Sequence, residues 1–323
     1  MSRFTRASVV ATSSVAALTL AACSSSGGKE TDEGGGGSGG GAGTPDMTVS
    51  FITHAAPGDT FWDQVREGAE DAAKKDNIKL EYTADPEGSQ QANLVQQAVD
   101  KKVDGIAVTL AKPSAMKGNV EKAVGADIPV VALNGGMGDW KEMGVSAFFG
   151  QDEEIAGEAA GERLTEEKAG KTLCVIHEQG NVGLEARCKG AAKTFDKTEK
   201  LYVKGTDTAN VQSTITAKLQ EDDSITHVMT LGAPFALTGL KSVDEAGSDA
   251  KVVTFDLNDD ALQKIKDGEI LWAVDQQPYV QGYEAVDALW LQVNQGASIG
   301  GGEPVLTGPA FVDDKNVDIL LEK

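Results

Sequence analysis

Short apolar runs alternate with segments of helical periodicity along almost the whole chain from residue 47 onward. The apolar runs predict strands of a parallel sheet, which are buried on both faces. The intervening segments repeat apolar residues every three or four positions, as Phe61, Val65 and Ala69 do, and predict amphipathic helices. We predict strands at 47–53, 78–82, 105–110, 129–133, 172–176, 226–231, 251–255, 270–274 and 309–312, and helices at 61–74, 92–99, 114–124, 152–167, 182–194, 211–219, 236–245, 260–266 and 281–293.

This alternation predicts an α/β protein built from doubly wound parallel sheets, because crossovers between parallel strands are right-handed and place helices on both faces. The pattern divides at a helix that begins near Asp152, and each half holds four or five predicted strands. Two lobes of that size are more typical of α/β proteins than one very wide sheet. Ligands in such sheets bind beyond the carboxyl ends of the strands.

The first 45 residues have a different composition from the rest. Residues 1–22 carry Arg3 and Arg6 and then an apolar stretch that is too short to span a membrane, which predicts a signal peptide. The stretch ends in Leu-Ala-Ala-Cys, which resembles the lipobox of bacterial lipoproteins and makes Cys23 the predicted acylated residue. An ordinary signal peptide with an incidental cysteine is the alternative. Residues 23–45 are predicted to hold the lipid anchor and a Gly- and Ser-rich linker.

Composition and charge narrow the function classes. The 323 residues carry a formal charge of -21, with 29 basic against 50 acidic side chains. This balance argues against nucleic-acid binding, which requires clustered Lys and Arg to neutralise phosphates. Outside the signal segment, no apolar run is long enough for a membrane-spanning helix. We therefore expect a protein whose contact with a membrane is through its lipid anchor alone.

Cys174 and Cys188 remain once Cys23 is assigned to lipidation. An even pair in an exported protein predicts one disulfide, although two buried free thiols are the alternative. We predict no metal site, since there is no CxxC motif and the chain has only 3 His. No cofactor is predicted.

The loops after the predicted strands carry groups suited to a polyhydroxy ligand. Amide, carboxylate and guanidinium groups bind hydroxyls, while aromatic rings pack against C–H faces. Phe61 also fits the buried face of its helix, and Trp62 could lie at the surface. The candidate residues are Asp59, Phe61, Trp62, Asn134, Arg187, Asp256 and Gln276.

Enzyme motifs are incomplete wherever they begin. A partial P-loop at Gly170 lies between a helix and a strand, which is the wrong order, and a partial dinucleotide motif at Gly136 lacks its last glycine. An EF-hand spacing that starts at Asp256 has Ala261 where glycine is required. There is no G-x-S-x-G motif and no Ser-His-Asp arrangement. We therefore predict that the protein is not an enzyme.

Over residues 46–323 the chain resembles the type I periplasmic sugar-binding proteins, the ribose- and galactose-binding class of ABC importers, in the lipoprotein form. The segments that carry the resemblance are FWDQVREGAEDAAKK, VDGIAVTLAKPSAM, ADIPVVALN, GQDEEIAGEAAGERL, GNVGLEARCKG, VVTFDLNDD and VDQQPYVQGYEAV. The resemblance implies that Phe61 and Trp62 hold the sugar ring. It further implies that Asn134, Arg187 and Asp256 bind hydroxyls, that Gln276 supplies an amide near the hinge, and that Asp59 is a polar neighbour.

Two departures from the family pattern bear on the ligand. Gly135 stands where ribose binders carry Arg, and Gly232 to Phe235 replace a polar Asn-Asp pair. A less polar wall suits a cyclitol, a deoxy or methylated sugar, or a larger hexose, with Phe235 as a second stacking surface. Trp140, in the loop after the fourth strand, is a candidate for the mouth of the site, with a surface or packing role as the favoured alternative.

The resemblance also implies a hinge of three crossings, near Gln151, Gln276 and Gly308. It predicts lobe one at 46–151 plus 277–308 and lobe two at 152–276 plus 309–323. We expect a monomeric receptor on the extracellular face of the cytoplasmic membrane that closes on a carbohydrate and delivers it to an ABC permease. A receptor that feeds chemotaxis or a sensor kinase is the alternative.

Overall fold

The computed structural model describes Gly43 and residues 46–322. The predicted signal segment, Cys23, most of the predicted linker and Lys323 lie outside the described residues. Two six-stranded sheets form the framework. Their strands are β1 (Met47–Thr53), β2 (Ile78–Ala84), β3 (Gly105–Thr109), β4 (Val130–Leu133), β5 (Phe148–Gly150), β6 (Lys171–Ile176), β7 (Thr198–Tyr202), β8 (Ile225–Thr230), β9 (Lys251–Phe255), β10 (Ile270–Asp275), β11 (Val305–Leu306) and β12 (Ala310–Asp313).

Helices connect the strands in both halves of the described chain. They are α1 (Phe61–Lys75), α2 (Gly88–Lys101), α3 (Pro113–Gly125), α4 (Glu153–Glu166), α5 (Val182–Thr194), α6 (Thr208–Glu221), α7 (Ala233–Ala246), α8 (Asp259–Lys266), α9 (Pro278–Gln295) and α10 (Val317–Leu321). Short 3₁₀ turns occur at Lys141–Met143 and Gly300–Gly302. Asp152 begins α4 by accepting hydrogen bonds from the amides of Glu154 and Ile155, and Asn181 begins α5 in the same way.

The two sheets repeat one topology. The first has the strand order β11-β5-β4-β3-β1-β2 and the second β12-β10-β9-β8-β6-β7. Neighbouring strands are parallel except at the edge of the second sheet, where β12 pairs antiparallel with β10. The predicted fold class of two doubly wound lobes is confirmed. Corresponding positions in the two sheets can therefore be compared directly.

The number of strands per lobe was predicted wrongly, since each sheet has six rather than four or five. β5, β7 and β11 were missed. β5 and β11 span only three and two residues, and β7 reads TEKLY, which has no apolar run. Such strands form because neighbouring strands offer them backbone hydrogen bonds, which the local pattern does not encode.

Burial of the central strands supports the layered arrangement. All five residues of β3 and all four of β4 are buried, as expected for strands covered by helices on both faces. Trp140 lies in the first-lobe core beside Phe148 and is 2% exposed, so it packs there and does not line the mouth of a site. Within the described residues, no helix is both long and apolar enough to cross a membrane.

The chain passes between the lobes three times. β5 of the first sheet leads into α4, which packs on the second lobe, and β10 of the second sheet leads into α9, which packs on the first. β11 and β12 make the third crossing. At this crossing the amide of Thr307 donates to the Gly150 carbonyl at 2.8 Å, and the Thr307 hydroxyl donates to the Gln276 carbonyl at 2.7 Å. The three-crossing hinge is thus present, while the predicted lobe boundaries stay a prediction.

Candidate functional site

A cavity of about 410 Å³ lies between the lobes at the carboxyl ends of the strands. Its volume is within the range of roughly 300–1,000 Å³ found for small-molecule sites. The structure brings all of the sequence-predicted site residues to its wall: Asp59, Phe61, Trp62, Asn134, Arg187, Phe235, Asp256 and Gln276. Their role in binding stays a prediction, because no ligand is present.

Asn134 and Asp256 occupy the same position in the two lobes. Asn134 follows β4 and Asp256 follows β9, and both have left-handed backbones, with φ of 63° and 65°. Asn and Asp tolerate this conformation better than other side-chain-bearing residues. The amide of each donates to the next strand at 2.8 Å, to Phe149 and to Val274 respectively. The repeated topology thus aims one polar side chain from each lobe into the cavity.

Arg187 is held by a bidentate ion pair with Glu153. Arg187 Nε donates to Glu153 Oε2 at 2.5 Å, and Nη2 donates to Oε1 at 2.9 Å. Nη1 donates to the Leu231 carbonyl at 3.3 Å, and the guanidinium lies over the Phe255 ring at 4.8 Å. Three of its five N–H groups are therefore used by the protein, and two are left for a ligand.

Asp256 lies across from this pair. Its Oδ2 is 3.8 Å from Arg187 Nη1, and its Oδ1 accepts from Gln276 Nε2 at 2.7 Å. Burial raises the pKa of Asp256 to about 7, against the lowering effects of Arg187 and Gln276. The carboxylate is therefore a buried acceptor that two neighbours only partly stabilise.

Gln276 connects the cavity to the hinge. Its Oε1 accepts from Asn134 Nδ2 at 3.0 Å and from Gln281 Nε2 at 2.9 Å. Gln281 Nε2 also lies 3.1 Å from the Thr307 hydroxyl, at the third crossing. Gln276 orients Asn134 through its Oε1 and Asp256 through its Nε2. Its Oε1 already accepts two hydrogen bonds, whereas its Nε2 has one N–H left for a ligand.

Aromatic rings form two apolar parts of the wall. Trp62 lies edge-on to Phe61 at 5.0 Å and to His54 at 4.7 Å between ring centroids. On the second lobe, the Phe235 ring stacks on His177 at 3.9 Å with 19° between the planes. Burial lowers the pKa of His177 to about 3, so this imidazole is neutral. Both aromatic groups can pack against C–H faces of a ligand.

Asp59 lies beside the first aromatic group. Its Oδ1 accepts from the Phe61 amide at 3.2 Å, at the start of α1. Burial raises the pKa of Asp59 to about 6. Asp59 therefore offers a second partly desolvated carboxylate on the first-lobe side.

Direct contacts join the lobes on both sides of the cavity. Lys112 Nζ lies 2.9 Å from Glu178 Oε1, and the Val182 amide donates to the Ala111 carbonyl at 3.0 Å. On the other side Gln64 Nε2 donates to the Leu257 carbonyl at 2.9 Å. The structure therefore represents a closed arrangement of the cleft.

Several wall residues were not predicted from the sequence: His54, Glu153, His177, Glu178 and Asn181. His54 and His177 each follow a strand directly, after β1 and β6. Glu153 and Asn181 read as ordinary helix-start residues. The helix starts gave a usable signal, because α4 and α5 both begin at carboxyl ends of strands, where ligands bind.

Steric crowding explains why position 135 is a glycine. A Cβ at this position would approach the Ala111 backbone to 3.1 Å, which is tighter than ordinary van der Waals contact. A long side chain, such as the Arg expected from ribose binders, would need the Ala111 segment to move. Among residues 46–322, no cluster of His, Cys, Asp and Glu is arranged to hold a metal ion.

Two hinged α/β lobes with a cavity between them, lined by polar side chains and aromatic rings, define a bilobal solute receptor. Residues 49–297 match the family model of the periplasmic binding protein domain, and the chain belongs to that family. The resemblance found in the sequence is confirmed. Members of this family bind solutes, so the protein is a binding protein and not an enzyme.

Named relatives and solved structures agree with this assignment. The chain is 28% identical over 235 residues to the ribose import binding protein RbsB of Bacillus subtilis, a match that covers 71% of this chain and 76% of that protein. It is 25% identical over 276 residues to a xylitol-binding protein of Mycolicibacterium smegmatis, with 81% and 76% covered. The chain is also similar to a carbohydrate transporter from Acidothermus cellulolyticus 11B, whose crystal structure is in complex with myo-inositol. The two sequences are 52% identical, and the structures superpose with a TM-score of 0.85. That match covers 86% of this chain and 98% of the other.

Proposed function

We propose that this protein captures an uncharged cyclitol, with myo-inositol as the first candidate, by closure of its two lobes. The observation that carries the proposal is the cavity itself, in which Asn134 and Asp256 face a common space from opposite lobes beside Arg187. The 52% identity to a protein whose structure contains myo-inositol supports a cyclitol over an open-chain or five-carbon sugar.

The proposed contacts follow from the free donors and acceptors. Arg187 retains two N–H groups for vicinal hydroxyl oxygens, and Asp256 accepts from hydroxyl protons. Asn134 Oδ1 and Asp59 add acceptors from the first lobe. Trp62 and Phe235 cover the faces of the ring. A cyclitol fits this arrangement because it presents hydroxyls around its rim and C–H groups on its two faces.

We further propose that the receptor is lipid-anchored through Cys23 outside the cytoplasmic membrane and delivers its ligand to an ABC permease. The lipobox-like end of the signal segment supports the anchor, and the Gly- and Ser-rich residues that follow provide a tether. We propose a monomer, since both lobes of one chain contribute to the wall of this cavity.

Ligand-dependent thermal unfolding tests the proposed function. Purified protein is melted with myo-inositol, ribose, galactose or xylitol. A ligand at 100 times its Kd stabilises the folded state by about 2.7 kcal/mol. We expect myo-inositol to raise Tm by several degrees at concentrations where the other three give smaller shifts. A larger shift with a pentose, or no shift with any polyol, would overturn the cyclitol assignment.

Transport is tested separately in cells. We expect deletion of the gene to abolish uptake of labelled myo-inositol, and a Cys23→Ala variant to release the receptor into the medium. Normal uptake in the deletion strain, with loss of a response to inositol, would favour the alternative receptor that feeds a sensor.

A further inference from the structure

Glu153 is a wall residue with no place in the proposed ligand contacts. It begins α4 directly after the first crossing, and its side chain is buried. Gln151 Nε2 donates to Glu153 Oε2 at 2.8 Å, the same oxygen that receives Arg187 Nε. Glu153 is therefore held from the hinge side, and both of its carboxylate oxygens are directed at the guanidinium.

The ion pair fills one of the two edges through which the guanidinium can hold an anion by paired N–H bonds. A carboxylate binds Arg most strongly through two parallel N–H bonds. In this structure Glu153 occupies the Nε and Nη2 pair. Of the nitrogens that keep a free N–H, Nη1 lies 3.8 Å from Asp256 Oδ2. A ligand carboxylate at that position would approach Asp256 as well as Arg187.

The charges of the whole wall favour neutral ligands. Four carboxylates line the cavity, Asp59, Glu153, Glu178 and Asp256, against two cations, Arg187 and Lys241. Lys112 neutralises Glu178 from outside the cavity at 2.9 Å. Over these seven groups, four formal negative charges face three positive ones, which leaves an excess of one negative charge.

We infer that Glu153 determines charge selectivity: it neutralises Arg187 so that the cleft accepts uncharged polyols and rejects those with a carboxylate or phosphate. Glu153 is a positioning residue, since it acts on the ligand through Arg187. The inference rests on the proposed function and adds to it the class of ligand that the site excludes.

The experiment compares myo-inositol with quinate, a cyclohexane polyol that carries a carboxylate. Calorimetric titration of the full-length protein is expected to show binding of myo-inositol and at least tenfold weaker binding of quinate. Glu153→Gln keeps the shape of the side chain and removes its charge. We expect this variant to shift the ratio of quinate to myo-inositol affinity by at least tenfold towards quinate. If the role of Glu153 is purely structural, the variant will bind both ligands more weakly and the ratio of their affinities will stay unchanged.

Glu154→Gln is the matched control. It makes the same chemical change one residue away, at a surface carboxylate bound to Lys189 at 3.0 Å, and should keep the wild-type ratio. Glu153→Ala repeats the measurement if Glu153→Gln does not fold, as judged by circular dichroism. Quinate binding by the wild type within tenfold of myo-inositol, or an unchanged ratio in the folded charge-free variant, overturns the inference. If the wild type binds neither compound but binds another neutral sugar, the cyclitol assignment fails. The inference about Glu153 is then tested by the ratio of the affinities for the uronate of that sugar and for the sugar itself, in the wild type and in the variant.

Discussion

The buried carboxylate of Asp256 affects the stability of the empty receptor, and we propose that it also binds ligand. Its carboxylate is buried opposite Arg187 and accepts one hydrogen bond from Gln276. Since burial raises its pKa from 3.8 to about 7, the folded protein holds a proton here that the unfolded chain has released. The stability contributed by this proton is fully present below pH 4 and is lost as the pH rises through 7.

Replacement of Asp256 by Asn should separate these two effects. At pH 8 we expect the ligand-free Asp256→Asn variant to melt higher than the wild type, and at pH 5 we expect the difference to shrink. Its affinity for myo-inositol should fall roughly ten- to hundredfold, because a hydrogen bond to a charged group contributes about 1.5–3 kcal/mol. Thermal melts at both pH values and calorimetry check this. An equal Tm difference at pH 5 and pH 8 would contradict the raised pKa.

Close helix packing fixes the position of Arg187 at the level of elements. α4 and α5 approach each other through glycines, and a Cβ at Gly190 would lie 2.1 Å from the Glu154 carbonyl oxygen. The contact at Gly157 is equally tight, because a Cβ there would lie 2.1 Å from the Arg187 carbonyl oxygen. In the first lobe, Gly68 and Gly282 bring α1 and α9 together in the same way. The distance between Glu153 and Arg187 depends on this contact, because they lie on the two helices.

A Gly190→Ala variant should therefore lose both stability and affinity. The added methyl must push α5 from α4, and overpacking of this kind costs about 1–3 kcal/mol. We expect a lower Tm and weaker binding of myo-inositol. Gly239→Ala on α7 is the control, since its Cβ would meet neighbours at an ordinary 3.6 Å. That helical replacement should be neutral or stabilising by about 0.5–1 kcal/mol. Equal losses in the two variants would rule out the packing argument.

The disulfide between Cys174 and Cys188 acts on the same pair of elements. It joins β6 to α5, next to Arg187, with the Cα atoms 5.8 Å apart. Closing a loop of 15 residues stabilises by about 3 kcal/mol in the chain-entropy model. We expect the Cys174→Ala/Cys188→Ala variant to lose a comparable free energy of unfolding in denaturant titrations. Its ligand affinity should also fall, because α5 is less restrained. Unchanged affinity would show that the disulfide stabilises the lobe without positioning Arg187.

At the scale of the whole molecule, contacts between the lobes bias the open–closed equilibrium. Lys112 from the first lobe and Glu178 from the second are both partly buried and 2.9 Å apart. Asn181 Nδ2 donates to Glu178 Oε2 at 2.9 Å and orients the carboxylate. A contact made only in the closed form stabilises that form, and ligand binding is favoured by the same free energy.

Lys112→Ala should shift the empty receptor towards the open form. A bridge of this exposure contributes about 1 kcal/mol, so affinity should fall roughly fivefold. Small-angle X-ray scattering should show a larger radius of gyration without ligand and a normal one at saturation. Lys117→Ala is the control, because Lys117 lies on α3 and contacts only first-lobe carboxylates at 3.9 and 4.0 Å. A loss of affinity in both variants would point to general electrostatics instead of a bridge between lobes.

Prediction from the sequence succeeded where local pattern and burial coincide. The central strands were recognised because they are apolar and covered on both faces, and Asn134 and Asp256 because they follow such strands directly. The short or polar strands β5, β7 and β11 were not found. These strands form by hydrogen bonding to other strands of the sheet. Their own sequences are too short or too polar to predict a strand.

The amino-acid pattern was sufficient to identify the two-lobed α/β class, the family and the residues at the strand ends. These follow from periodicity and from side-chain chemistry at positions that every parallel sheet exposes. The contacts that those residues make with each other became visible in the folded molecule. Glu153, which reads locally as an acidic helix start, became the partner of Arg187 because α4 and α5 pack at glycines. The charge of a binding site depends on which side chains meet across elements, and no local pattern contains that information.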